Sequence, residues 1–139
     1  MGPATEPRSY GRGLLLDTYA LICALARPDD LPARVTGALL DEYVPVFISA
    51  ASVWEIEINV ATGKLPRPSA PTAHAARDAA RDQGFTELPV TSAEAAARLP
   101  LHHRDPFDQL LVAQSHLERL TLVASDDLLS HHDAPLLRR

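Results

Sequence analysis

The sequence predicts a three-layer α/β/α domain built on a central, mostly parallel sheet of four to five strands. Three observations carry that expectation. Short continuous apolar runs, Leu14-Leu15-Leu16 and Leu120 to Ala124 among them, have the unbroken hydrophobicity of strands covered on both faces. Segments with helical spacing separate these runs, and strands alternating with helices imply right-handed crossovers and parallel pairing. At 139 residues, 46% hydrophobic and 22% charged, the chain suits one globular domain. Folding at this size removes roughly 68% of the unfolded chain's accessible surface, enough for a core without disulfide or metal staples.

Residues 1–12, MGPATEPRSYGR, are rich in Pro and Gly and poor in apolar side chains, so they read as a flexible leader to a domain spanning 13–139. Leu14-Leu15-Leu16 is the first strand, and Tyr19 to Ala26 a helix that stops at Arg27-Pro28. Pro32 opens a second helix reaching about Tyr43, and Val46-Phe47-Ile48 is the second strand. Ser49 to Thr62 reads as a helix stopped by Gly63. Pro66, Pro68 and Pro71 mark a connector before an Ala-rich helix from about Thr72 to Gln83. Phe85 to Val90 alternates as a third strand, and Ser92 caps a helix running to Leu99. After the polar loop HHRD, Pro106 opens a strong helix through Leu120, the strand Leu120 to Ala124 follows, and a short helical turn comes after Ser125-Asp126-Asp127.

Charge and cysteine usage narrow the function classes. The lone thiol, Cys23, forms no intrachain disulfide, which fits a reducing cytoplasm. Arg8 and Arg12 ahead of the apolar run Leu14 to Ala26 imitate a secretory signal, but Asp17 inside the run opposes that reading, and no run reaches the ~18 apolar residues of a membrane span. A net charge of −5 excludes a broad basic face for nucleic acid. Phosphate-cradling glycine loops, a GxSxG elbow and an HExxH helix are all missing from the sequence. His102-His103 and His131-His132 read as exposed loop pairs rather than zinc ligands.

The remaining chemistry lies in carboxylates. Ligands of open parallel sheets bind beyond the carboxyl ends of the strands. Asp17 directly follows the first strand, and Asp126 follows the Leu120 to Ala124 strand after Ser125. Each is also a competent helix cap, a role worth about 1 kcal/mol. Asp105-Pro106-Phe107-Asp108 poses the same choice: Asp105 reads as the cap, whereas Asp108 shares a helical stripe with Leu111, Val112 and Ser115, the side expected to face the sheet. In the helix from Ser49 to Thr62, Glu55 and Glu57 fall in opposite gaps between two apolar arcs, and the wheel does not choose between them. Convergent carboxylates about 5 Å apart repel by roughly 3 kcal/mol per pair at an effective dielectric near 20. Such a cluster calls for protons or a divalent cation, and an all-oxygen donor set suits Mg²⁺ or Mn²⁺. The chemistry of that site is phosphodiester hydrolysis.

The segments LLLDTYALICAL, SAASVWEIEINVATGKL, LPLHHRDPFDQLLVAQ and LVASDD with APLL, in this order, resemble the PIN-domain ribonucleases, and among them the VapC-type toxins of bacterial toxin–antitoxin pairs. The resemblance spans about Gly13 to Leu137. It implies that Asp17, Glu55, Asp108 and Asp126 are the catalytic, metal-binding acids, with Asp105 as a neighbouring acid, and so favours Glu55 over Glu57. Asp126 is preferred to Asp127 because it lies nearer the strand end. The resemblance further implies a Mg²⁺- or Mn²⁺-dependent endoribonuclease acting on tRNA, rRNA or mRNA, a homodimer, and a cognate antitoxin partner. Thr18 and Ser125 are candidates for orienting water, and Arg104 is the first candidate for an RNA phosphate contact. Tyr19 stands where many relatives carry His, and Arg138-Arg139 replaces a more common aromatic ending. The alternative is a catalytically silent PIN-like module that acts through protein partners. A receiver-type or phosphatase site, which wants a lysine late in the chain, is disfavoured because Lys64 is the lone lysine.

Overall fold

Three consecutive leucines with no exposure, Leu14–Leu16, form β1, the middle strand of a five-stranded parallel sheet in the order β3-β2-β1-β4-β5. The computed structural model describes residues 10–64, 72–90, 106–125 and 136–139. Within these, β2 is Val46–Ser49, β3 Thr86–Leu88, β4 Thr121–Ala124 and β5 Leu136–Arg138. The helices are α1 (Thr18–Ala26), α2 (Ala33–Leu40), α3 (Ala50–Ala61), α4 (Ala73–Asp82) and α5 (Pro106–Glu118), with a 3₁₀ turn at Pro28–Asp30. β5 makes the fifth strand of the expected four to five. The helix expected from Ser92 to Leu99, the HHRD loop and the turn after Asp127 lie outside the described residues.

Period-two alternation divides the strands between two cores. Leu14, Leu16, Val46, Ile48, Val123 and Leu137 face one layer, where α1 to α4 contribute Leu21, Val35, Val53, Ile56, Ala76 and Ala80. Leu15, Leu122 and Ala124 face the other, with Leu111 and Val112 of α5 and, at its margin, Phe47, Leu88 and Leu136. The result is the three-layer sandwich. The continuous apolar character of β1, β2 and β4 follows from it, because their residues are covered from one side or the other.

Local capping explains the element ends. Ser49 accepts from the N–H of Ala51 at 3.0 Å and Thr72 from that of Ala75 at 3.0 Å, starting α3 and α4. Helix α2 ends at Leu40, short of the expected Tyr43, because the Asp41 carboxylate accepts from the N–H of Tyr43 at 2.9 Å and turns the chain out. At the head of β1, Gly13 has φ +143 and a Cβ there would lie 2.4 Å from the carbonyl oxygen of Pro45. Glycine is therefore what lets β1 and the segment leading into β2 approach. Tyr10 to Arg12, at the end of the expected leader, join the domain: Arg12 donates its N–H to the carbonyl of Arg119 at 2.8 Å, and Gly11 bridges Leu120.

The topology fixes where a ligand meets the sheet. The chain steps from β1 to β2 and β3 on one side, then crosses to β4 and β5 on the other, so the switch point lies between β1 and β4. All strands are parallel, and their carboxyl ends share one edge. Leu16 pairs with Val123 and Ala124 with Arg138, which sets Asp17, Ser125 and Arg139 in a row along that edge.

Candidate acidic site at the carboxyl edge of the sheet

Asp17 is the best-defined side chain of this edge. Its backbone N–H continues the ladder to the carbonyl of Val123 at 3.0 Å, and its carboxylate caps α1 by accepting from the N–H of Ala20 at 2.8 Å. The capping and site readings of Asp17 are compatible, because one oxygen serves the helix while the carboxylate remains the first group beyond β1. It is 4% exposed. Burial pushes the Asp17 carboxyl above its ordinary range, and the guanidinium of Arg139 with the Ala20 N–H opposes that push.

Arg139 supplies the countercharge. Its Nε–H lies 2.9 Å from Oδ1 and 2.7 Å from Oδ2 of Asp17, and its ζ carbon sits 4.4 Å from the centroid of the Tyr19 ring. The backbone of Arg139 is tied to the sheet through its N–H to the carbonyl of Ala124 at 3.2 Å. The sequence noted Arg138-Arg139 without assigning them a role. Their place follows from β5 pairing with β4, a long-range register that no local pattern announces.

Glu55 reaches the same edge from α3. Thr18, directly after Asp17, donates its hydroxyl to Oε1 of Glu55 at 2.6 Å, and the hydroxyl of Ser52 lies 3.0 Å from the same Thr18 oxygen. Thr18 has one proton to give, so with that proton on Glu55 the Ser52 hydroxyl is the donor of the second contact. Val53, Ile56 and Val60 of α3 are buried, whereas Trp54 and Ala61 of the other arc are exposed. This resolves the ambiguity left by the helical wheel: Glu55 is half-buried beside Thr18, and Glu57 faces solvent.

Asp108 lies in the first turn of α5, half-buried on the stripe that continues into buried Leu111, Val112 and Ser115. The rings of Trp54 and Phe107, neighbours of Glu55 and Asp108 in sequence, meet edge to face with centroids 5.6 Å apart. That contact joins the start of α5 to α3. No local pattern in the sequence announces this pairing, because the two rings come from helices far apart in the chain.

Ser125 is half-buried at the end of β4. Asp126, Asp105 and Arg104 lie outside the described residues, as do His102, His103, His131 and His132. Among the described residues no three acidic, histidine or cysteine side chains form a metal-holding group. The donor chemistry nonetheless suits a hard cation: the described acids offer oxygen only, and the deepest of them already has a cationic group seated on both oxygens. No described helix is long and apolar enough to cross a membrane.

The family model of the PIN domain matches residues 14–135. No curated protein matches the chain. Among solved structures, the chain is similar to one in the crystal structure of VapBC2 from Rickettsia felis bound to a DNA fragment from their promoter, with a TM-score of 0.62 and 13% identity, covering 90% of this chain and 97% of that one. At that identity the likeness is one of fold.

Proposed function

The chain belongs to the PIN-domain family, and on that premise we propose that it is the toxin of a type II toxin–antitoxin pair, a Mg²⁺- or Mn²⁺-dependent endoribonuclease whose metal-binding acids are Asp17, Glu55, Asp108 and Asp126. The observation that carries the reading is Asp17, a buried carboxylate at the topological switch point with a cationic group on both oxygens and Glu55 linked to it through the adjacent Thr18. The Ala20 N–H and Arg139 satisfy the buried carboxylate, and its place at the switch point beside Glu55 is what supports a cation site.

Asp17, Glu55, Asp108 and Asp126 would hold the divalent ion, which when bound supplies Lewis-acid polarisation of the phosphate and acidification of water. The chain's own residues set the geometry of attack. Asp17 is immobilised through the β1–β4 ladder and the start of α1, so its oxygens keep their place when substrate enters. Thr18 holds Glu55 with its carboxylate towards the edge. Ser125, at the end of β4, is a candidate to orient water, and Arg104 to contact the RNA backbone. Local cationic groups at the edge reconcile an RNA substrate with the overall charge of −5.

The partner proposals are a cognate antitoxin and a second copy of the chain. One solved structure of similar fold is a VapBC2 complex, which supports an antitoxin partner. On this chain Leu40, 81% exposed, lines a mostly apolar groove of about 230 Å³ with Leu31, Leu39 and Phe85, edged by Thr36 and Gln83.

The test is cleavage of a structured RNA such as tRNA by the isolated chain. Cleavage with Mg²⁺ or Mn²⁺ that disappears with EDTA and in Asp108→Asn is the expected result. Activity surviving both treatments would overturn the mechanism. A folded chain that cleaves no RNA yet binds its antitoxin would instead be the silent PIN-like module.

A further inference from the structure

Arg139 occupies the oxygens that a metal at Asp17 needs. The Asp17 carboxylate has about four acceptor positions. The Ala20 N–H takes one on Oδ1, and the Nε–H of Arg139 is shared between Oδ1 and Oδ2. A divalent ion sits about 2.1 Å from its carboxylate ligands, inside the reach of that N–H, and brings two positive charges beside the guanidinium. One acceptor position on Oδ2 remains, so repulsion and crowding around a single carboxylate set the two cations against each other.

We propose that Arg139 is a built-in competitor for the divalent ion: its guanidinium and the metal hold the Asp17 carboxylate in turn, and binding one releases the other. The inference rests on the metal-site reading above. The exchange moves only a side chain, because the backbone of Arg139 stays fixed to β4 through the carbonyl of Ala124. The face of the Tyr19 ring, already under the guanidinium, keeps the displaced group beside the site instead of in bulk water. Arg139 is 21% exposed and Tyr19 44%, so the pair has an open side toward which to swing. Tyr19 in place of the commoner His thereby gains a use, as the surface on which the guanidinium rests.

Mn²⁺ binding to the full chain, measured by calorimetry for wild type, Arg139→Gln, Arg138→Gln and Asp17→Asn, tests the competition. Arg139→Gln is expected to bind Mn²⁺ about tenfold more tightly than wild type, within the range of ordinary site–site coupling. Arg138→Gln, the same charge change on the neighbouring exposed side chain, is expected to stay within about twofold by screening. Equal or weaker binding by Arg139→Gln overturns the inference, and so does equal tightening in both variants. NMR of the wild-type chain supplies a second readout that needs no variant: the Arg139 Nε resonance should move on titration with diamagnetic Mg²⁺, and a resonance unchanged at saturation overturns the exchange. Mn²⁺ binding that is lost in Asp17→Asn but unaltered in Arg139→Gln leaves the metal site standing and removes the competitor. Failure of both wild type and Arg139→Gln to bind Mn²⁺ overturns the site and the competitor together.

Discussion

The hydroxyl of Thr18 donates to Oε1 of Glu55 at 2.6 Å, joining the first residue of α1 to the middle of α3. This short bond to a carboxylate is the direct link between the strand-end acid Asp17 and a second acid of the edge. Hydrogen bonds to charged groups contribute about 1.5–3 kcal/mol, and the partner left behind in a half-buried place loses more than a surface group would.

Thr18→Val keeps the shape of the side chain and removes the donor. It should lower RNA cleavage by about tenfold and weaken Mn²⁺ binding, with a fall in stability of about 1–2 kcal/mol in urea denaturation. Glu57→Gln, on the solvent face of the same helix, should change neither. Equal effects from the two substitutions would show that Glu55 owes nothing to Thr18.

Asp17 makes a prediction about pH. Its folded-state pKa is raised, chiefly by burial and against the pull of Arg139, so the folded chain holds the Asp17 proton more firmly than the unfolded chain does. Stability from this group is therefore present in full below the unfolded value near 4 and declines as pH rises through the folded value. Above the folded value the buried carboxylate, once ionised, costs stability relative to its protonated form. Asp17→Asn should raise the melting temperature at pH 7 by about 2–4 °C in the absence of metal, and the difference should shrink as pH is lowered. Added Mn²⁺ should stabilise wild type and leave Asp17→Asn unaffected. On the metal-site reading, proton and metal compete for the same oxygens, so Mn²⁺ affinity should fall on acidification.

Gly13 leaves no room for a methyl group. A Cβ would meet the Pro45 carbonyl oxygen at 2.4 Å, in a backbone conformation that L residues rarely adopt. Gly13→Ala should cost about 3 kcal/mol or more, because relief requires β1 to draw away from the segment entering β2. Gly37→Ala is the control: nothing lies within 4 Å of its Cβ position, and on a helix it should be neutral or slightly stabilising. Thermal denaturation of the two variants distinguishes the cases.

Much of the architecture was legible because the information is local. Leu14-Leu15-Leu16 followed by Asp17 shows a doubly covered strand and a helix cap without reference to anything distant, and the structure places both. The stripe that sets Asp108 with Leu111, Val112 and Ser115 is likewise a property of one helix. The choice between Glu55 and Glu57 was not legible from residues alone, since it depends on how α3 rotates against α1, and only the family resemblance leaned toward Glu55. Arg139 escaped for the same reason in stronger form: its contact with Asp17 spans nearly the whole chain and exists because β5 pairs with β4 in one register. Propensity extends α2 to Tyr43 because it does not see the Asp41 side chain capturing a backbone N–H.

The central position of β1 has a consequence for how the protein is made. Asp17 is synthesised well before Val123, whose carbonyl accepts its N–H, and Arg139 directly follows β5. A nascent chain that has not reached β4 has the first acid without the strand that seats it, and pairing partners so distant in sequence come together late in folding. On the nuclease reading, a chain that stops short of β4 would lack the ladder that seats Asp17, so the acidic edge is assembled only once β4 has paired with β1.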